Sequence, residues 1–579
     1  MATRRTFLQG GLGALTIGLL RRYGFALAPA RALHGSGIGV DPASAFGAVP
    51  LHPSSVVIDG MPFAPGFLGD DFPNDAIPFH QQENVFPGGK PPDPTESVPL
   101  AVVGGGISGL TTAFLLKRHR PVVFELHPRF GGTTQGENWA GALYSMGGAY
   151  VITPDAGYFL DRFYRQLGLH RVKRLNAGGS DPIELNGEIL EDFWSGAFSP
   201  TETAAFERYR EIVTAMAEKN YPEIPLPEGK DNGWILDLDR RTLREDIEAQ
   251  MGMKVPPLLA AAIQGYCYSS FAAGWEEVSA AGGWNFLAAE EYGRWVFPGG
   301  NAWMVEALRR RLARVERADG NQEPRRMLRP GRLVVDVRLA PAGRVQVTWR
   351  EPNGDVRSLL ARRVVMACSK HICKFMLPEL AQLDPVKFDA MQQIQTRAYV
   401  VANVLLDAPV STPLYDIFLL EDGNFPMDEG SAELQSRVID LLNGSYAQGG
   451  ALPRSVLTLY WPLPFARGRF SLIADNGFQD YATRLAPQIR RMLDLIGVKH
   501  NRVRQVRMTR WGHAMPIARP GLIANGVVDD LRRPFADRVY FVNQDNWALP
   551  AVENSVLDAA AFAPEISAAI QASPAKSGR

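Results

Sequence analysis

Hydrophobic positions along this 579-residue chain fall into short unbroken runs, helical stripes, and stretches with no period at all. Leu100–Val103 is an apolar run of strand length, and Ile107–Lys117 follows with Leu110, Phe114 and Leu115 on one helical face. Pro121 then opens a second run, Val122–Phe124, which ends on Glu125. Further along, Leu333–Val337, Val345–Trp349 and Val364–Ala367 read as three strands of a small sheet laid across the first unit. Tyr399–Leu406 and Val539–Val542 read as two more strands. Between Asp161 and about Gly293 the pattern is mainly helical, with helices predicted over Thr203–Lys219 and Pro257–Ser269. Tyr266, Tyr268, Phe271, Trp275, Trp284 and Phe286 cluster there as core. After Val296-Phe297-Pro298-Gly299-Gly300, a stripe of Val305, Leu308, Leu312 and Val315 faces inward, with Arg309, Arg310, Arg311 and Arg314 on the solvated side. A last helix is predicted over Ser555–Ala569. Strand runs separated by helical stripes specify an α/β chain.

Two stretches lie outside this pattern. Residues 33–97 are rich in Pro, Gly and Asp and read as an irregular N-terminal extension. Its Phe63, Phe67, Phe72 and Phe79 imply that it drapes over the folded body. Residues 1–32 carry Arg4-Arg5, an apolar stretch from Gly10 to Leu20, and Ala28-Pro29-Ala30-Arg31-Ala32. That is the layout of a twin-arginine signal peptide with an A-x-A cleavage site. It predicts export of the folded chain by the twin-arginine translocase to the bacterial periplasm.

Composition changes this picture only at its edges. The length calls for two interlocked domains, and 46% hydrophobic with 21% charged residues is ordinary for a globular protein. Lys and Arg (61) balance Asp and Glu (61), which gives no electrostatic reason to expect nucleic acid as a partner. No apolar run reaches the ~20 residues of a membrane span, so none is expected in the mature chain. Cys267, Cys368 and Cys373 are too few for a disulfide framework, and no metal-ligand spacing is present, so no metal is expected.

The chemistry is concentrated at the first strand. Gly104, Gly106 and Gly109 have the spacing G-x-G-x-x-G between that strand and the helix starting at Ile107 and Ser108. The first glycine allows the tight turn, the second lets backbone approach a pyrophosphate, and the third lets helix and strand pack closely. A helix start presents unpaired N–H groups to phosphate. Glu125, at the end of the next strand, is placed to accept ribose hydroxyls. Arg129, Gly131 and Gly132 extend the motif to E-x-x-x-R-x-G-G, which a bound NAD does not explain.

This start resembles the FAD-binding region of the flavin-containing amine oxidase family, which also holds protoporphyrinogen oxidases and phytoene desaturases. The resemblance implies FAD as cofactor. It also implies a doubly wound, Rossmann-like FAD domain (98–160, 294–372 and 505–572) interlocked with a mixed α+β substrate domain (161–293 and 373–504). It places Gly147, Gly148 and Ala149 in a loop passing the flavin ring, and Val334 at the adenine. Thr133 stands where the family has an arginine after the paired glycines. Arg510-Trp511-Gly512-His513-Ala514-Met515-Pro516 resembles the family segment ahead of the last flavin contacts, here Gln544, Asp545, Val552 and Ser555. Asn543-Gln544-Asp545 and Phe297-Pro298-Gly299-Gly300-Asn301-Ala302 are similar to spermidine dehydrogenase-like members. No Cys or His occupies the usual attachment region, so FAD is expected to be non-covalent.

The activity implied is hydride removal from a carbon bearing an amine, the substrate being a small polyamine or amino-acid-like molecule. Trp511, Trp547, Trp461 and Tyr460 are the candidate substrate walls, because aromatic faces suit an amine. Ala551 replaces an aromatic that family members often carry, and His513 reads as a structural hydrogen-bonding group. Val401 aligns with the lysine that assists reoxidation by oxygen in many members, with Arg397 the nearest cation. That replacement tilts the expectation toward a dehydrogenase with a cytochrome or quinone as electron acceptor. Two other functions stay open: a desaturase or protoporphyrinogen-type oxidase of an apolar substrate, and a non-catalytic electron-transfer or assembly subunit. A substrate cavity free of carboxylates favours the apolar reading; one lined by acids favours amines.

Overall fold

The computed structural model describes residues 46–72, 86, 89–179, 181–198, 200–318, 326–448 and 452–572. The export signal expected over residues 1–32 lies outside the described residues, as does Phe79.

The apolar run expected at Leu100 belongs to the strand Glu96–Val103, buried over its last four residues. It lies parallel to Val122–Phe124 on one side and to Val356–Met366 on the other. Leu328–Arg329 extends this parallel set beyond Val122–Phe124, and Val539–Phe541 pairs in parallel with Val356–Met366. The strands Leu333–Ala340, Arg344–Arg350 and Val356–Met366 form an antiparallel meander. They are not a separate sheet laid across the first. Val356–Met366 pairs with the meander through its first half and with Glu96–Val103 along most of its length, so one seven-stranded sheet results.

Helices cover the faces of this sheet. Ile107–Leu115 and the final helix, Val552–Gln571, pack against each other, and Ala302–Ala318 lies alongside the first. Phe114, Leu308, Leu312, Val556 and Ile566 share one buried cluster with Val102, Val123 and Val365. The chain's middle and its last segment thus complete a core begun at residue 100.

The second layer is a ten-stranded sheet. Its centre is Thr396–Leu406, flanked antiparallel by Ser455–Leu463 and by Val503–Pro516. Two corrections to the sequence reading follow. Val503–Pro516 belongs to this sheet, although the sequence groups it with the FAD segments. The N-terminal extension is also not wholly irregular: Val56–Ile58, Met61–Phe63 and Leu68–Gly69 form short strands on the free edge of Val503–Pro516. Those partners lie more than 400 residues ahead of it in sequence, which hides the pairing from any local pattern. The helices Thr203–Glu218 and Pro257–Phe271 pack with this sheet in the largest core cluster. No helix among the described residues is long and apolar enough to cross a membrane.

Backbone packs closely at the glycine turn. Gly104 has φ +109°, and a Cβ there would sit 2.7 Å from the Ala367 carbonyl oxygen. A Cβ at Gly109 would overlap the carbonyl oxygen of Gly104, backbone that cannot give way. Gly109→Ala is therefore expected to destabilise the fold by about 1–3 kcal/mol through overpacking. Urea unfolding of the flavin-free protein measures it; a midpoint equal to that of the parent refutes the contact.

Candidate active site

A cavity of about 310 Å³ opens at the carboxyl ends of the parallel strands. Such strand ends are where open α/β sheets bind ligands. Val103, Phe124, Ala367 and Asn543, each at or just beyond a strand end, line it together with Gly104, Gly106, Ile107 and Ser108. No side chain caps the helix Ile107–Leu115, so its first N–H groups are left to a ligand. A Cβ added to Gly106 would have nothing nearer than 3.8 Å and would occupy cavity space, as a phosphate bed requires. Gly131 (φ +140°) and Gly132 (φ +54°) close the opposite side, Gly131 bridging Gly106.

Glu125 is buried and lines the same cavity. Its Oε2 accepts from the Gly105 N–H at 2.9 Å and its Oε1 from the His127 N–H at 2.9 Å. These bonds fix the carboxylate at the turn, where it faces the cavity. Val334 lines the far end, and Thr133, Gln544, Asp545, Val552 and Ser555 line the remainder. Asp545 Oδ2 accepts from the Lys370 N–H at 2.7 Å, while the buried Lys370 ammonium donates to Asn543 Oδ1. Gln544 Nε2 donates to the Ala514 carbonyl at 2.9 Å. The donor set, the open glycine bed and the fixed acid fit a flavin dinucleotide.

A second cavity, of about 270 Å³, adjoins the first at Val552, the residue that lines both. Six acids line it: Asp155, Glu223, Glu290, Asp416, Asp440 and Glu553. None of the described lining residues is Lys, Arg or His. Glu553 Oε1 accepts from the Ile152 N–H at 2.8 Å, which ties the final helix to the cavity wall. Behind the wall, buried Arg294 meets Asp181 at 2.5 Å, Glu290 at 2.5 Å and Asp416 at 3.3 Å. One guanidinium thus faces three carboxylates, and Asp440 stands nearby with no cation in ion-pair reach among the described residues. Asp440 is 1% exposed; its Oδ2 accepts from Ser269, and its Oδ1 has no partner, nor does Asp416 Oδ1. Burial is the main cause holding the Asp440 carboxyl up to about 8, with Asp181 adding to it. Burial likewise raises Asp181 to about 6 and Asp416 well above the carboxylate range.

The structure separates the aromatic candidates. Tyr460 lines the second cavity and donates to the Gly147 carbonyl at 2.7 Å. Trp511 lines the cofactor cavity, with Nε1 donating to the Met146 carbonyl at 2.8 Å. Trp461 and Trp547 line neither, which corrects the sequence reading. Trp461 is core, donating to Ser436 Oγ at 2.7 Å beside Tyr481. Trp547 is clamped under Arg532 and donates to Asp558 Oδ1 at 3.3 Å.

Five cofactor candidates do not line the cofactor cavity: Arg129, Gly109, Gly147, Gly148 and Ala149. Arg129 turns outward, donating to the Gly136 carbonyl at 3.3 Å and Gln135 Oε1 at 3.2 Å, so it braces the turn without lining the cavity. Gly109 acts through helix packing alone. In the loop 147–149, Gly147 packs against Thr133, while Gly148 and Ala149 line the acid cavity. His513 lines the cofactor cavity with Nδ1 2.6 Å from Thr396 Oγ1; burial first, then His371, lowers it to about 2, so it is neutral. The sequence reading does not find the acid set; its available signal is that Asp416 and Asp440 each open an otherwise apolar strand.

A family model described as flavin containing amine oxidoreductase matches residues 107–544. Oxidoreductase PigB of Serratia sp. (strain ATCC 39006) is 22% identical over 529 residues, covering 79% of this chain and 73% of that protein. Among solved structures, putrescine oxidase bound to putrescine is 17% identical with a TM-score of 0.55, covering 82% of this chain and 100% of the other. Cyclohexylamine oxidase from Brevibacterium oxydans IH-35A is 18% identical with a TM-score of 0.54, covering 81% and 99%. These structural likenesses establish the shared fold.

Gly106→Val places a branched side chain in open cavity without striking the protein, so the variant should fold normally and purify colourless. Absorbance near the flavin bands and a melting curve check both halves; a folded, yellow variant contradicts the bed.

Proposed function

From the premise that this chain belongs to the flavin-containing amine oxidoreductase family and is an FAD-dependent oxidoreductase, we propose that it oxidises a polyamine held in the acid-lined cavity. The observation that carries this reading is the lining itself: six acids and no basic residue among the described ones. An apolar substrate would leave those carboxyl groups without partners, at a cost of roughly 1–3 kcal/mol for each polar group stranded. An amino acid would need a cation for its own carboxylate, and Arg294 is already engaged by three acids.

Bound FAD, held non-covalently, supplies the two-electron acceptor for a hydride leaving the amine-bearing carbon. The chain's share is binding and orientation. Asp416 and Asp440 take an ammonium end of the substrate, and the reacting carbon lies toward Val552, where the cavities meet. Tyr460 and Phe418 wall the passage and exclude water.

We assign the electrons to a cytochrome or quinone in place of oxygen. Val401 supports this: it is buried with Trp511 and Tyr399, so no ammonium stands at that position. Arg397 is held by Glu277 at 2.9 Å and Glu429 at 3.6 Å. The twin-arginine pattern at Arg4-Arg5 supports a periplasmic site of action.

Anaerobic mixing with a library of amines and polyamines should bleach the flavin with di- and polyamines. Bleaching by none of them removes the assignment. Oxygen uptake by the reduced protein should be slow beside reduction of a quinone analogue or cytochrome c. Asp440→Asn should lower kcat/KM for a diamine roughly 10–100-fold, the worth of a charge-assisted hydrogen bond, and leave a monoamine little changed.

The pH dependence has a definite sign. With its carboxyl held up to about 8, Asp440 is largely protonated at pH 7 and must ionise to pair an ammonium. Diamine binding should therefore release a proton at pH 7 and tighten as pH rises toward 8. Calorimetry in buffers of different ionisation enthalpy measures the release, and Asp440→Asn should abolish that share.

A further inference from the structure

The resemblance that identifies the glycine bed expects an arginine after Gly132, and this chain has Thr133 there, lining the cofactor cavity. A dinucleotide carries its negative charge on the diphosphate, and backbone N–H groups alone leave that charge without a counter-ion. Two other arginines line the cavity, Arg332 and Arg469. Arg332 is answered by Glu351 at 3.1 Å. Arg469 has no carboxylate within ion-pair distance among the described residues.

Arg469 is delivered from the second layer, on the short helix Gly468–Ile473. Its guanidinium lies 5.1 Å from the ring centre of Phe72, and its buried Nε has no hydrogen-bond partner. Phe72 and Asp70 come from the N-terminal extension and line the same cavity. Asp70 is fixed there, its Oδ2 accepting from the Gly512 N–H at 2.6 Å and its carbonyl from Arg510 Nε at 2.9 Å. Asp70 feels both Arg469 and His127, and His127 belongs to the loop that carries Glu125. Arg469, Asp70 and His127 therefore line the same cavity as Glu125 and the glycine bed, with Arg469 beside Gly512.

We propose that Arg469 supplies the cationic contact to the cofactor's diphosphate that the chain lacks at position 133. A guanidinium presents a fork of donors that matches two phosphate oxygens, which the Thr133 hydroxyl does not. Phe72, 5.1 Å from the guanidinium, backs that fork. Cofactor binding then bridges the two layers, with neutral N–H groups from one and the positive charge from the other.

The test uses full-length protein stripped of flavin and titrated with FAD, ADP and adenosine. Arg469→Gln should weaken FAD and ADP roughly 10–100-fold and leave adenosine unchanged. Adding Thr133→Arg to Arg469→Gln should restore much of the ADP affinity. Parental ADP affinity in Arg469→Gln, or an equal loss for adenosine, overturns the proposal. If circular dichroism shows that Arg469→Gln does not fold, Arg469→Lys decides: it keeps the charge but not the fork. ADP binding weakened with adenosine unchanged supports the assignment, and unchanged ADP binding overturns it.

Discussion

The structure depends on one backbone contact, the approach of the helix Ile107–Leu115 to the turn that leaves Glu96–Val103. Gly109 sits against the Gly104 carbonyl with no room for a Cβ. That closeness sets where the uncapped helix start points, and so where a phosphate can rest. Everything else in the cofactor cavity is placed relative to it. Val356–Met366 and Val539–Phe541 extend the parallel sheet, and the final helix packs on Ile107–Leu115, which brings Val552 to the seam between the cavities.

The two cavities differ in electrostatic character, the first lined by Arg332 and Arg469 together with Asp70, Glu125 and Asp545, the second by acids without a described basic residue. The cofactor side offers N–H groups and arginine to an anion. The substrate side offers carboxyl groups, and its one nearby guanidinium, Arg294, stands behind the wall. Burial holds the Asp440 carboxyl up to about 8 and raises that of Asp416, which reduces the negative charge this side carries at neutral pH.

What could be read from the sequence is what the chain encodes locally. Gly104, Gly106, Glu125 and Val334 sit on single turns or strands, and all four line the cofactor cavity. Val552 and Ser555 were found because a strand, a turn and a helix start follow one another without interruption. The misreadings are all non-local. Arg129 has the right spacing, but its direction is set by Gln135 and Gly136. Trp461 and Trp547 have the right chemistry, but tertiary partners claim them. The acid cavity draws Glu290, Asp416, Asp440 and Glu553 from four separate segments, and no motif spans such distances. The N-terminal strands were missed for the same reason, since their partner begins at Val503.

The charge balance around Arg294 carries the argument to its last step. One buried guanidinium cannot neutralise Asp181, Glu290, Asp416 and Asp440 together, and uncompensated buried charge is expensive. Burial answers part of this by holding the Asp440 carboxyl up to about 8, so that acid is largely protonated at pH 7. An arriving ammonium brings the missing charge, so the acids can release protons without leaving net negative charge in the interior. A neutral apolar guest provides no such exchange, and an anionic one worsens the imbalance. On the proposed reading, selection for a cation resides in the deficit of the whole cluster, built by strands from across the chain, more than in any single hydrogen bond.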